Sequence, residues 1–342
     1  MVIVILIVGI SLLILIHEFG HFLAARKFGL LVEEFGIGFP PRIFAKKIGE
    51  TLWSINALPF GGFVRIHGER PELDPEAGKI DQRRSFAHLR IGPRALIIAA
   101  GIAMNFLLGW IVVSGVYAVG VPQKVVIQSV VPGSPAENAG FMRGDIVEGF
   151  STTEAFIAYV NEHAGEALLV AVEREGEGLI ITATPRSNVP EGEGPLGVAL
   201  TEFGQERLPI HKSLGAGFMA SVGIIWAILQ SLGTLIIGIF TGGAVFEDFV
   251  GAVGIFEVAN ESARFGLAHL FQLIGLISLN LVVLNALPIP ALDGGRLFFL
   301  LIEKLKGSPI APRKEMAANT IGFLVLILLM VIITIRDVVR IF

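Results

Sequence analysis

Long apolar runs separated by polar segments set the pattern of this chain, and several runs exceed what a helix in a water-soluble core needs. Residues 1–25, 95–120, 267–295 and 319–342 each carry enough apolar sequence to predict a membrane-crossing helix. Residues 26–94 instead alternate Gly and Pro turn signals with short aromatic and β-branched runs, VEEFGIGFPPRIFAKK and TLWSINALPFGGFVRIHGE, which predict strands and hairpins. The tip ALPFGGF is apolar but too short to span; a re-entrant β-loop covered by protein and a cytoplasmic hairpin with a buried tip both fit it. From 121 to 208 the pattern is that of a soluble domain, with short strands at VVIQSV, DIVEGF, ALLVAVERE, LIITATP and PLGVAL and one amphipathic helix at TTEAFIAYVNEHA. Residues 209–266 turn apolar again and are rich in glycine, and 296–318 form a basic loop.

Composition agrees with a membrane protein. Of 342 residues, 53% are hydrophobic and only 16% charged, a balance that two or three soluble domains do not show. The net charge of -4 implies no polybasic nucleic-acid surface. With no cysteine, disulfides, thiolate zinc sites and a cysteine nucleophile are all excluded, so any metal must be held by His, Asp or Glu. The first apolar run lacks the basic n-region of a signal peptide and reads as a retained span.

Charge asymmetry gives a topology. Residues 26–94 hold twelve Lys or Arg against eight acids, which places them in the cytoplasm and the N-terminus outside. Residues 121–212 hold six basic against thirteen acidic residues, as expected outside, and Arg296, Lys304, Lys306, Arg313 and Lys314 return the chain to the cytoplasm. Passing from outside to inside takes an odd number of crossings, yet two apolar stretches intervene, Leu214 to Phe240 and Leu267 to Leu292. The first contains Gly215, Gly217, Gly223, Gly233 and Gly238. It is therefore expected to lie along the outer surface or in a groove, the second being the true crossing.

Chemistry concentrates in ILIHEFGHF, residues 14–22, where ionisable side chains sit inside an apolar run. On a helix His17 and His21 stand at i and i+4, their imidazoles about 6 Å apart on one face, a spacing that suits one zinc ion. Glu18 flanks that face and can take a proton from water activated by the metal. Two histidines leave zinc short of a ligand. Asp293, the one carboxylate between Glu261 and Glu303, reaches the same depth at the end of the third apolar run, among Pro288, Pro290, Gly294 and Gly295. Its rival reading is a helix cap at the membrane surface. Asn285 fits either an oxyanion donor or an amide tying down broken backbone beside Pro288. In the second apolar run Gly101, Asn105 and Gly109 share a face, which reads as close helix packing.

Together these motifs resemble the site-2 protease family of intramembrane zinc metalloproteases, and more closely the bacterial regulator-of-sigma-E protease branch. The resemblance is carried by HEFGH, by NALPIPALDGG, by the small-residue and Asn second span, and by FGIGFP with ALPFGGFVRIHGE. It is also carried by VVPGSPAENAGFMRGDIV, which resembles the start of a bacterial PDZ domain. The chain departs from the branch in having one such domain, and in Gly101-Ile102-Ala103 where a Gly-Pro is common. The resemblance implies zinc on His17, His21 and Asp293, Glu18 as catalytic base and Asn285 assisting the substrate or oxyanion. It implies a polytopic α-helical membrane protein with about four transmembrane helices, a cytoplasmic-side membrane-associated β region and an inserted extracytoplasmic PDZ-like α/β domain. The expected location is the bacterial cytoplasmic (inner) membrane. The expected substrates are single-pass transmembrane proteins, anti-sigma-factor-like chains or signal-peptide remnants, cut within the lipid bilayer. The PDZ-like domain would serve as a peptide-binding module, a gate or a size filter. Rival readings are a catalytically inactive PDZ-bearing membrane adaptor and a metal transporter.

Overall fold

The computed structural model describes residues 2–69, 82–174, 176–190, 192–241, 251, 253–264 and 266–341. Its first element, helix α1 (Val2–Lys27), has 26 residues. At 1.5 Å per residue it is about 39 Å long, more than a bilayer core requires. Leu6, Gly9, Leu13, His17, Gly20, His21 and Ala25 form its buried stripe at three- and four-residue spacing, so one face packs while the rest stays open. Arg26 and Lys27 close the last turn, where the helix dipole favours positive charge.

Strands β1 (Val32–Ile48) and β2 (Thr51–Ile66) follow as an antiparallel pair with repeated register shifts. Each long strand bends in its middle, near Pro40-Pro41 and near Gly61, which has φ +77°. Folding back lets Phe35 pair with Val64 on one side and Trp53 on the other, while Arg42 to Ile48 pair with Thr51 to Asn56. The tip of β2 reaches back along α1: Ser11 Oγ donates to Pro59 O at 2.7 Å, and a Cβ on Gly62 would meet Leu15 Cδ2 at 2.5 Å. Phe19, Phe22, Phe35 and Trp53 form the aromatic contact between sheet and helix, with neighbouring rings 4.9 to 6.1 Å apart.

Helix α2 (Ile91–Val119) approaches α1 closely because Gly20 lies against the Ala100 carbonyl and leaves no room for a side chain. Gly109 meets Leu279 of α7 (Leu267–Ala286) in the same way, and Gly9 of α1 meets Ile274. Helix α5 (Ile210–Thr241) is long and apolar, and among its residues of described burial only Ser213, Gly217 and Ser221, all in its first half, are buried. The short amphipathic α6 (Gly254–Arg264) packs Ala259 against Leu6, Leu270 and Leu273. Helices α8 (Asp293–Lys306) and α9 (Pro312–Ile341) complete the chain, and Asp337 ties α9 to the start of α6 by accepting from Gly251 and Gly254 N–H at 2.9 and 3.0 Å.

Among the described residues, five helices are long and apolar enough to cross a membrane: α1, α2, α5 from Ile210 to Leu235, α7, and α9 from Pro312 to Val339. The chain is polytopic. Two expected boundaries move. The third apolar segment is expected to run to residue 295, but α7 stops at Ala286 because Pro288 and Pro290 supply no N–H to continue it. The basic loop expected over 296–318 is instead helical at both ends, in α8 up to Lys306, whose amphipathic FFLLIEKL pattern puts Leu300 in the core, and in α9 from Pro312.

Residues Gly115–Ser213 make a separate unit. Strands β3 (Val121–Val130), β4 (Ile146–Val147), β5 (Leu168–Arg174), β6 (Glu177–Ala183) and β7 (Val198–Gln205) form a five-stranded antiparallel sheet in the order β6-β5-β4-β3-β7. All five overlap the runs predicted as strands, although β3 starts earlier and β7 runs on from Thr201 to Gln205. Helix α3 (Pro135–Ala139) starts at Ser134, whose hydroxyl accepts from Glu137 N, and ends at left-handed Gly140. Helix α4 (Thr153–Glu162) buries Phe156 and Val160 against Val125, Ile127, Val170 and Val172. Asp145 is fully buried and held by Arg174, with contacts of 2.7 and 2.8 Å.

Candidate metal centre

His17 and His21 project from the buried stripe of α1 with ring centroids 4.8 Å apart and planes nearly perpendicular. Asp293 meets them from the turn between α7 and α8. That turn runs through Ala291 at φ +80°, a strained value for a residue with a Cβ, and Asn319 Oδ1 holds it by accepting from Ala291 N–H at 3.0 Å. A Cβ on Gly294 would strike the backbone of Ala286 and Leu287, and one on Gly295 would strike Ile289 O. Only glycine lets the first turn of α8 nest against the end of α7, and this nesting aims Asp293 at α1. Leu292 occupies the cap position of α8, and the Asp293 carboxylate turns to the histidines instead of capping.

The Nε2 atoms of His17 and His21 lie 3.0 and 3.2 Å from Asp293 Oδ2 and 3.2 Å from each other. All three residues are at least nine-tenths buried. His21 Nδ1 lies 2.9 Å from the Ile97 carbonyl, which accepts its proton and so leaves Nε2 with a lone pair. The His21 Nε2 lone pair then faces the Asp293 carboxylate at contact distance, an arrangement that repels unless a proton or a cation sits between them. Ligand atoms on a tetrahedral zinc are roughly 3.3 Å apart given bonds of about 2.0–2.1 Å, close to the spacing here. The donor set of two imidazoles and one carboxylate, with one position open, suits catalytic zinc.

Glu18 stands beside the cluster, its Oε2 accepting from Val64 N–H of β2 at 3.1 Å. On the opposite side α2 closes over the imidazoles at Gly101, where a Cβ would come within 2.5 Å of His21 Nε2 and 2.9 Å of His17 Cε1. One turn on, the Asn105 amide lies 3.3 Å from His17 Nδ1. The sequence reading gave Asn105 to helix packing, whereas the structure places it against His17. The cluster thus joins His17, His21 and Asp293, with Glu18 beside it. Asn285, half-buried in α7, makes no side-chain hydrogen bond among the described residues. Backbone contributions from Ile97 and Val64 have no signature in sequence, and only the spacing of Gly101 and Asn105 could have pointed to their face of α2.

Peptidase family M50 matches residues 5–329. The chain belongs to this family. It is similar to the zinc metalloprotease RasP of Shouchella clausii, 30% identical with 97% of each chain covered. It is also similar to the regulator of sigma-W protease RasP of Bacillus subtilis, 30% identical with 96% of each chain covered. The M50 chain is a site-2-type zinc metalloprotease and a multi-pass membrane protein, and its activity is zinc-dependent intramembrane proteolysis.

Proposed function

We propose that His17, His21 and Asp293 hold the zinc ion and that Glu18 carries the proton in hydrolysis of a peptide bond within the bilayer. The observation that carries this reading is the approach of three buried donor atoms to within 3.0–3.2 Å of one another, with a second carboxylate alongside. Zinc bound there supplies a Lewis acid that acidifies water and polarises a peptide carbonyl. Glu18 takes a proton from the attacking water as the new C–O bond forms, and returns it to the amine nitrogen as the C–N bond breaks. The Val64 N–H fixes one Glu18 oxygen, which leaves the other to handle the proton. The Asn285 amide, which makes no side-chain hydrogen bond among the described residues, is available to donate to the substrate carbonyl oxygen as charge develops.

A transmembrane helix hides its carbonyls in hydrogen bonds, so the substrate must unwind locally. Strand β2 lies beside Glu18, and its outer edge can pair with the unwound segment and satisfy its freed backbone groups. The bond from Ser11 to Pro59 O, some four turns from the C-terminal end of α1, supports a re-entrant placement of this tip. The substrates are single-pass membrane proteins of the bacterial cytoplasmic membrane, of the anti-sigma-factor or signal-peptide-remnant type. The name of the Bacillus subtilis relative supports the first class. Residues 121–208, a PDZ-like domain by sequence, act outside as a size filter that admits trimmed substrates.

The test is metal analysis and an in-membrane cleavage assay on the purified chain. Glu18→Gln should retain zinc and abolish cleavage, while His17→Ala and Asp293→Ala should lose both. Wild-type turnover by Glu18→Gln would remove the mechanism.

A further inference from the structure

We infer that Asn105 is a positioning residue of the metal centre, its side-chain amide setting which nitrogen of His17 is free to bind zinc. This rests on the reading of His17 as a zinc ligand. Asn105 is wholly buried, and its backbone carbonyl accepts from Ser278 Oγ of α7 at 2.8 Å, which fixes its height on α2. Gly101, one turn before, brings α2 close enough for the amide to reach the imidazole.

The amide nitrogen lies 3.3 Å from His17 Nδ1, while Oδ1 of the same group is buried with no hydrogen-bond partner among the described residues. An unmade hydrogen bond is costly at membrane depth, so the orphaned oxygen calls for an explanation. A half-turn of the amide supplies it. With the N–H toward Nδ1, the imidazole accepts there and keeps its proton on Nε2, directed at Asp293 Oδ2 3.0 Å away. With Oδ1 toward Nδ1, the ring donates there and Nε2 presents a lone pair, as a metal ligand must. An amide can serve both tautomers of His17. An aliphatic side chain serves neither, and a carboxylate serves only the metal-binding one. His21 obtains the same service from a backbone carbonyl, that of Ile97, which cannot be removed by substitution. Asn105 is therefore the part of the outer shell open to test.

The experiment measures zinc retention by full-length protein in detergent against a graded chelator, with the visible spectrum of the cobalt-substituted protein as a second readout. Asn105→Leu, close to isosteric, and Asn105→Ala should each weaken zinc binding by roughly 10–100-fold. Asn105→Asp, which keeps an acceptor for the Nδ1 proton, should stay within about threefold of wild type, since a carboxylate can fill this outer-shell role. Wild-type zinc retention by Asn105→Leu and Asn105→Ala would overturn the inference, as would loss in all three variants. His17→Ala separates the two levels: zinc retained there would refute the site itself, whereas zinc lost there but kept in Asn105→Leu would refute only the role of Asn105.

Discussion

Gly101 of α2 lies directly over the His21 imidazole, so close that the first carbon of any side chain would stand 2.5 Å from Nε2. The same carbon would be 2.9 Å from His17 Cε1. Gly101→Ala must therefore push either the ligands or α2 aside. In an unconstrained helix the change would favour folding by about 1 kcal/mol. Here the expected result is a protein that inserts and folds but loses at least about tenfold in zinc affinity, with cleavage falling in step. Zinc titration alongside thermal unfolding checks it: lost affinity without lost folding is the signature.

How much of this was legible beforehand follows from what leaves a trace in residue order. Lengths of apolar runs announce membrane helices, and an i, i+4 histidine pair in such a run announces a ligand face. Asp293 could be matched to that face by depth alone, because it is an isolated carboxylate at the end of a run. Asn105 was not legible as a neighbour of His17, since its spacing from Gly101 and Gly109 is equally that of a packing face, and only the crossing of α2 over α1 decides which side chain it meets. The Val64 and Ile97 contacts are made by backbone atoms, which every residue carries. The doubling-back of β1 and β2 was hidden for a related reason: strands were readable from alternation, but pairing Phe35 with both Val64 and Trp53 depends on bends that composition does not order. Helix α8 was hidden by its charges, which read as a loop.

The turn that delivers Asp293 should be equally intolerant of added bulk. At Gly294 a Cβ would collide with carbonyl and backbone atoms of Ala286 and Leu287, none of which can rotate away. Gly294→Ala is expected to swing the start of α8 off the end of α7 and withdraw Asp293 from the histidines. Cleavage should fall as far as in Asp293→Ala, while a change at exposed Lys306 at the far end of the same helix leaves it unaltered. Side-by-side assays of the three variants test this.

In the separate sheet unit, stability should hinge on Arg174 and Asp145. Asp145 is fully buried, and its carboxylate accepts from Arg174 and from Met142 N–H. Removing the guanidinium strands a charge in the interior, which costs about 3–5 kcal/mol. Arg174→Leu should therefore open residues 115–213 to proteolysis at temperatures where the native chain resists. If that unit filters substrates, untrimmed membrane proteins should become cleavable at the same time. Digestion time courses paired with cleavage of full-length and pre-trimmed substrates distinguish a local loss of fold from a general one.

The placement of α5 is the sharpest test of the topology. Helices α1 and α7 both end at the metal centre, where α2 begins, so α1 and α7 run in one direction through the membrane and α2 in the other. The clustering of Leu6 with Ala259, Leu270 and Leu273 puts the start of α7 on the far side, where α2 ends. An even number of crossings must therefore separate α2 from α7, and α5 alone would make it odd, although its length and hydropathy suit a span. Among its residues of described burial the last buried one is Ser221, the pattern a helix leaving the bundle would show. The chain has no native cysteine, so single substitutions report cleanly. Glu206→Cys before α5 and Glu257→Cys after it should both react with a membrane-impermeant thiol reagent added outside, and Lys306→Cys only after the membrane is opened. Labelling of Glu257→Cys from the cytoplasm alone would make α5 a crossing, and would require α7 to reach the metal centre from the opposite direction to α1.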